Sequence, residues 1–139
     1  MAAQPFSFPV RVYYEDTDAA GVVYYANYLR FLERARTEWL DSIGHPLPEV
    51  ERNHGIVFVV HRLEIDYHAP ARLFDALDVS VSVDALRRAS LDLRQEVRRG
   101  GSLLVTARVV LACVDRVQFK PARIPIPIDS HRESLSRPL

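Results

Sequence analysis

Residues 10–40, VRVYYEDTDAAGVVYYANYLRFLERARTEWL, decide the fold of this chain. The stretch begins with β-branched and aromatic residues at 10–14, which predict a strand. An acidic turn and a glycine follow, and apolar residues then recur at helical spacing over 27–43. Asn27 is a favourable N-cap residue, and Gly44 is a favourable stop signal. We therefore expect a strand, a tight bend and a long amphipathic helix.

Four further strands are predicted downstream, because apolar and polar residues alternate in four runs. These runs cover residues 57–67, 77–85, 91–97 and 103–113. Gly100-Gly101 between the last two is a hairpin signal. Residues 45–56 contain two prolines and are expected to form a polar loop. Since no helix separates the four runs, we expect consecutive strands to pair in an antiparallel sheet. The fold class is then α+β, with one long helix on five strands.

Length and composition indicate one domain with a real core, at 139 residues and 48% hydrophobic content. We place this domain at residues 10–120, after an N-terminal arm (1–9) and before an extended C-terminal tail (121–139). No run of 18 apolar residues predicts a membrane span, and residues 1–10 do not have the pattern of a signal peptide. The single Cys113 lies in an apolar run and is expected to be buried. A cytoplasmic location is therefore predicted.

Charge is balanced overall but unevenly distributed. The net charge is zero, which argues against a general nucleic-acid binder. Residues 11–54 hold five Arg and eight Asp or Glu, whereas residues 87–123 hold nine Arg or Lys and three Asp or Glu. The basic part is either a solvated face or a site for a phosphate-bearing ligand, since guanidinium groups match phosphate oxygens.

The acidic turn, with Glu15, Asp16 and Asp18, is either a solvated turn or a chemical site. A calcium loop starting at Asp16 would need oxygen ligands at its fifth position, which is Ala20. An aspartyl-phosphate site expects a parallel βαβ fold, and the five histidines do not have metal-ligand spacing. The remaining chemical hypothesis is acyl transfer to water. A carboxylate attacks the carbonyl or activates water, and N–H groups at a helix start hold the oxyanion.

A family resemblance supports that hypothesis. Residues 13–38, YYEDTDAAGVVYYANYLRFLERARTE, resemble the signature of hotdog-fold acyl-CoA thioesterases of the 4-hydroxybenzoyl-CoA thioesterase type. They look more specifically like the Tol-Pal-associated YbgC branch. The similarity to that branch extends to residues 57–70, to the YHAPAR sequence that overlaps their end, and to the CVD sequence at Cys113. The resemblance implies a five-stranded sheet wrapped around the long helix. It also implies subunits paired edge to edge into a homodimer or homotetramer, with the active site between subunits.

The resemblance assigns the catalytic role to Asp18, as nucleophile or general base. It assigns the oxyanion to the backbone N–H of Tyr25, seven residues later. Members of the YbgC branch typically carry His at the position of Tyr25. A tyrosine cannot act as a base near neutral pH, because its reference pKa is about 10. Asp18 is therefore the catalytic side chain that we predict.

Further site residues follow the family pattern less closely. No metal and no separate cofactor are expected, since coenzyme A is part of the substrate. His61 is either a pocket residue or a core residue on the apolar face of its strand. Each basic residue either binds the substrate or is an exposed charge at a strand end. The predicted substrate-binding residues are Tyr24, Asn27, His61, Arg87, Arg88, Ser90, Arg116 and Lys120.

Two functions from different classes remain. The first is hydrolysis of a short-chain, long-chain or aromatic acyl-CoA. The second is a weakly catalytic or non-catalytic adaptor that keeps the scaffold and binds acyl carrier protein or Tol-Pal and envelope-biogenesis partners. Tyr25 in place of His favours the adaptor, whereas the presence of Asp18 favours the enzyme.

Overall fold

One antiparallel sheet and one long helix dominate the structure, a computed structural model that describes residues 6–128. The strands lie in the order β1-β3-β4-β5-β2, and neighbours are antiparallel throughout. This confirms the predicted α+β class with five strands. The elements are β1 (Phe6–Arg11), α1 (Tyr28–Ser42), α2 (Leu47–His54), β2 (Ile56–Tyr67), β3 (Ala76–Leu86), β4 (Ser90–Arg99) and β5 (Ser102–Asp115).

The core lies between α1 and the inner face of the sheet. The buried face of α1 carries Phe31, Leu32, Ala35 and Trp39, at the three- and four-residue spacing expected of a helix. Each fully buried large apolar side chain contributes about 1.5–3 kcal/mol, so this face holds the helix against the sheet. The buried sheet residues opposite are Leu77, Val79, Val81 and Val83 of β3, with Leu91, Leu93 and Val97 of β4.

One polar side chain, Gln95 of β4, lies fully inside this core. Its Nε2 donates to the Leu32 carbonyl at 3.1 Å and to the Ser80 carbonyl at 3.3 Å. The Arg36 guanidinium donates to its Oε1 at 3.1 Å, and burial lowers the pKa of Arg36. Because these bonds join α1, β3 and β4, Gln95 sets the position of the helix on the sheet.

Two local predictions are wrong. The first strand covers Phe6–Arg11 rather than residues 10–14, so residues 6–9 belong to the sheet and not to a loose arm. Pro9 is tolerated because β1 is an edge strand. Residues 45–56 contain the helix α2 instead of a polar loop. Its prolines sit at the helix start, where no intrahelical N–H is needed, and Gly55 ends it in the left-handed region at φ +65°.

The strands also pair differently from the predicted consecutive order. β2 pairs with β5, while β3 pairs with β1 and β4, so residues 68–75 connect strands that are not neighbours. Alternation identifies a strand and its faces but not its partner. The His68 N–H donates to the Leu104 carbonyl at 2.8 Å, and the Val23 N–H donates to the Ala71 carbonyl at 2.9 Å. The connection is thereby joined both to β5 and to the loop before α1.

The first part of the C-terminal tail is extended and packs on the domain. The Ala122 N–H donates to the Cys113 carbonyl at 2.9 Å, and Cys113 is buried as predicted. Ile126 and Ile128 are buried in the core cluster. The predicted tail therefore contributes to the core through residue 128, while residues 1–5 of the arm and 129–139 lie outside the described part.

Candidate active site

Asp18 lies at the head of a tight hairpin turn before α1. Its N–H donates to the Val22 carbonyl at 2.9 Å, and its carbonyl accepts from the Gly21 N–H at 3.0 Å. Gly21 has φ +79°, a conformation that a side chain disfavours and that closes the turn. The carboxylate Oδ1 accepts from the Ala20 N–H at 2.8 Å. Asp18 is exposed, so the turn orients its carboxylate while leaving it accessible.

Asp16 is buried beneath this hairpin, whereas Glu15 and Asp18 of the same acidic turn are exposed. Its Oδ1 accepts from Asn27 Nδ2 at 2.9 Å, and its Oδ2 accepts from the Tyr13 N–H at 2.8 Å. Its carbonyl accepts from the Tyr24 N–H at 3.0 Å. Asp16 thus ties the hairpin to the start of α1. Sequence reasoning missed this role, because the bond to Asn27 spans eleven residues and has no periodic signal.

The predicted N-cap role of Asn27 is wrong. Its side chain makes no capping bond, and its backbone is already helical at φ −70° and ψ −21°. The side-chain amide is directed to Asp16 instead. Asn27 is buried and its side chain holds the turn, while its predicted contact with the substrate stays a prediction.

The Tyr25 N–H lies at the start of the turn that leads into α1. Tyr25 begins the 3₁₀ turn Tyr25–Asn27 that leads into α1. The carbonyl of the same peptide group, Tyr24 C=O, accepts from the Asn27 N–H at 2.8 Å. Within residues 6–128 the Tyr25 N–H itself has no acceptor. A free N–H at the positive end of a helix is the type of donor that stabilises a developing negative charge.

A pocket of about 300 Å³ opens beside Tyr25. The rings of Tyr25 and Tyr28 lie 6.3 and 5.6 Å from that of Tyr67, measured between centroids. The Tyr28 hydroxyl accepts from the Ala71 N–H at 3.0 Å. Burial raises the pKa of Tyr28 and of Tyr67, so both phenols are neutral near pH 7. The lining residues are Val23, Tyr25, Tyr28, Tyr67, His68, Ala69 and Pro70.

Most of this lining was not identified from the sequence as a site. Tyr28 and Tyr67 lie in segments that the sequence predicts as a helix and a strand, and neither is a predicted site residue. The YHAPAR sequence was the available signal, since its first four residues line the pocket. The exposed Tyr24, a predicted substrate-binding residue, lies next to the pocket, with its ring 4.9 Å from that of Tyr25.

The predicted basic residues lie at the other end of the sheet. Tyr67 pairs with Val105 near the start of β5, whereas Ser90 pairs with Ala112 near its end. These two levels are seven residues apart along β5, which is about 23 Å at about 3.3 Å per residue. The structure therefore does not bring Asp18 and the basic group together within one chain. At the far end lie Arg87, Arg88 and Ser90 before and at the start of β4, and Arg116 and Lys120 after β5.

The arginines of that group are not equivalent. Arg87 donates to both oxygens of Asp92, at 2.6 and 3.3 Å, and Arg108 donates to Asp92 at 3.0 Å. The Arg87 guanidinium is the largest cause that holds the pKa of Asp92 below its usual value. Burial raises that pKa, and Arg108 lowers it further. Arg88 is exposed, and its side chain has no hydrogen-bond partner among the described residues. Arg123, which the sequence did not single out, lines a groove of about 310 Å³ with Arg87 and Arg88.

His61 does not lie on the apolar face of its strand, where the sequence predicts it. The register of β2 against β5 shifts between Val60 and Arg62, so His61 is the extra residue of a bulge. It is exposed on an edge strand. The core alternative for His61 is therefore wrong.

Metal and membrane features can be assessed over residues 6–128. No cluster of three or more His, Cys, Asp or Glu side chains that could hold a metal occurs in this range. None of the helices in the same range is long and apolar enough to cross a membrane.

Known proteins resemble the chain in sequence. The model of the thioesterase-like superfamily matches residues 12–135. The acyl-CoA thioesterase YbgC of Haemophilus influenzae is 46% identical over 120 residues, covering 86% of this chain and 88% of the relative. The acyl-CoA thioester hydrolase YbgC of Escherichia coli is 44% identical over 121 residues, with coverage of 86% and 90%.

Solved structures resemble the chain in fold. A probable thioesterase from Bartonella henselae superposes with a TM-score of 0.82 at 35% identity, covering 88% of this chain and all (100%) of the other. A 1,4-dihydroxy-2-naphthoyl-CoA thioesterase from Synechocystis superposes with a TM-score of 0.82 at 27% identity, with coverage of 97% and 100%.

Proposed function

The chain belongs to the thioesterase-like superfamily, within the group of the YbgC acyl-CoA thioesterases, and from that membership we propose how it hydrolyses acyl-CoA. Its fold is the hotdog that the sequence resemblance implied. In our proposal the acyl group enters the tyrosine-lined pocket, Asp18 drives the attack on the thioester carbonyl, and the Tyr25 N–H holds the oxyanion. The observation that carries this proposal is the unpartnered Tyr25 N–H beside that pocket.

The chemistry needs one nucleophile and one oxyanion donor. Asp18 either takes a proton from water as the water oxygen adds to the carbonyl carbon, or adds to that carbon itself. In both routes the C–S bond breaks and the coenzyme A thiolate leaves, taking a proton afterwards. In the second route water then cleaves the anhydride. A backbone donor aimed at the oxyanion contributes about 3–4 kcal/mol to such reactions.

We further propose that the working unit is a homodimer. In one chain the pocket and the basic group lie at opposite ends of the sheet, about 23 Å apart along β5 at about 3.3 Å per strand residue. The edge strand β2 is 12 residues long and exposes Val60 and Tyr67, which makes it a natural pairing edge. Two β2 strands paired antiparallel about a two-fold axis would place the pocket end of one copy beside the basic end of the other. The phosphates of coenzyme A would then meet Arg88, Arg116 and Lys120.

A panel of butyryl-, palmitoyl- and benzoyl-CoA, with release of free thiol as the readout, tests the activity. We expect turnover of at least one member by the unaltered protein and loss of it in Asp18→Asn. Tyr25 in place of the branch's His is the one observation that favours the adaptor. Absence of turnover on all three thioesters, together with tight binding of acyl carrier protein, would replace the enzyme proposal by that second function.

A further inference from the structure

We propose that Tyr67 is a positioning residue, whose hydroxyl fixes the backbone that presents the Tyr25 N–H to the thioester carbonyl. This inference rests on the proposed function and adds a residue to its machinery. Tyr67 ends β2, more than forty residues from Tyr25 in the sequence, and its hydroxyl donates to the Tyr25 carbonyl at 2.9 Å.

Three hydrogen bonds surround the free N–H. The Tyr24 N–H donates to the Asp16 carbonyl at 3.0 Å, and the Asn27 N–H donates to the Tyr24 carbonyl at 2.8 Å. The Tyr67 hydroxyl supplies the third bond, on the Tyr25 carbonyl. It is the only one of the three that comes from outside residues 16–27, so it joins this segment to the sheet. Without it, residue 25 has no hydrogen bond to a strand, and the segment stays joined to residues 68–75 through the Val23 N–H, which donates to the Ala71 carbonyl at 2.9 Å.

The ring and the hydroxyl of Tyr67 have separable roles. The ring lines the pocket and contacts the rings of Tyr25 and Tyr28 edge-on or tilted. The hydroxyl is the part that reaches the backbone. Burial, followed by the neighbouring Tyr28 and Tyr25, raises the pKa of the Tyr67 phenol, so it stays a donor throughout the neutral range. Tyr67→Phe keeps the pocket wall and removes only the hydrogen bond.

The two roles predict different kinetics. If the hydroxyl only lines the pocket, its loss changes acyl binding and appears in KM. If it positions the oxyanion donor, its loss appears in kcat, because the interaction matters most when negative charge develops on the oxygen. One neutral hydrogen bond contributes about 0.5–1.5 kcal/mol, so we expect kcat to fall by about two- to thirteenfold.

The experiment measures kcat and KM of the unaltered protein, Tyr67→Phe and the control Tyr14→Phe on the panel member with the highest kcat/KM. Tyr14 is exposed, and its ring packs against Phe74, so its variant also removes one hydroxyl from an aromatic contact. We expect Tyr67→Phe to lower kcat with little change in KM, in the inhibition constant of free coenzyme A or in the melting temperature. Tyr14→Phe should match the unaltered protein.

An unchanged kcat in Tyr67→Phe, or a change confined to KM, would overturn the positioning role. If Asp18→Asn also abolishes turnover, the proposed function survives that result and only Tyr67 loses its role. Absence of turnover in the unaltered protein on every panel member would instead overturn both proposals.

Discussion

Asn27 and Asp16 are joined by a side-chain hydrogen bond of 2.9 Å, from the amide Nδ2 to the carboxylate Oδ1. Both residues are buried, and the bond links the acidic turn to the 3₁₀ turn that leads into α1. Asp18 lies two residues beyond Asp16, and the Tyr25 N–H lies two residues before Asn27. The bond therefore sets the relative position of the two proposed catalytic groups.

Asn27→Ala tests this link. The substitution leaves the buried Asp16 carboxylate with the Tyr13 N–H as its remaining donor, at 2.8 Å. A buried acceptor that loses a partner costs about 1–3 kcal/mol, so we expect a loss of that size in the free energy of unfolding, measured in urea. Turnover should fall as well. Asn53→Ala, at an exposed position of α2, should change stability by about 0.5 kcal/mol or less. Equal stability of the two variants would contradict the role of the bond.

Asp18→Asn separates chemistry from folding. An Asn side chain retains the Oδ1 atom that accepts from the Ala20 N–H, so the hairpin should keep its shape. It can act neither as a base nor as a nucleophile, and we expect turnover to fall about 100-fold or more. Circular dichroism and the melting temperature should stay unchanged. Asp41→Asn, at an exposed position of α1, is the matched control and should keep full turnover. Near-normal turnover in Asp18→Asn would end the proposed mechanism.

The helix and the inner faces of the strands were predictable, because burial on one side produces a period in the sequence. Phe31, Ala35 and Trp39 show this for α1, and Leu91, Leu93 and Val97 show it for β4. The hairpin at Gly100-Gly101 was equally clear, since its turn chemistry is local.

Features that depend on tertiary contacts were not predictable. The bulge at His61 interrupts the alternation of β2 by one residue, which turns an expected inward side chain outward. The Asp16–Asn27 bond and the Tyr67–Tyr25 bond join residues that are distant in sequence, 11 and 42 residues apart. No period or local motif encodes such pairs. Asp18 and Tyr25 were proposed as catalytic groups from the family resemblance, whereas the groups that hold them in place required the structure.

The paired carboxylate of Asp92 should make the free energy of unfolding depend on pH. Its carboxylate is buried and accepts from Arg87 and Arg108, and its folded pKa lies below its ordinary value of 3.8. A lowered folded pKa gives stability that is complete above the unfolded pKa and is lost as the pH falls through the folded pKa. Asp92→Asn should therefore be less stable than the unaltered protein by about 1 kcal/mol at pH 6. The difference should shrink as the pH falls below about 4.

Urea unfolding at pH 6, 4.5 and 3.5 measures this difference. Asp78→Asn, at an exposed position of β3, is the control and should follow the unaltered protein at each pH. A difference between Asp92→Asn and the unaltered protein that stayed constant down to pH 3.5 would mean that ionisation of Asp92 does not stabilise the fold.

Val60→Arg tests the homodimer. Val60 is 52% exposed near the middle of the edge strand β2, beside Arg62. A two-fold axis through the middle of β2 would bring the introduced guanidinium close to the same group on the second copy and to Arg62 of both copies. Like charges held this close together oppose association. We expect sedimentation to show a monomer and turnover to fall, because the basic end and the pocket would no longer meet. Val117→Arg places the same charge at a valine that is 84% exposed in the turn after β5, beyond the last β2–β5 pair at Ile56 and Asp115, and should keep the dimer. A monomeric unaltered protein with full turnover, or a dimeric Val60→Arg, would show that the site does not depend on pairing through β2.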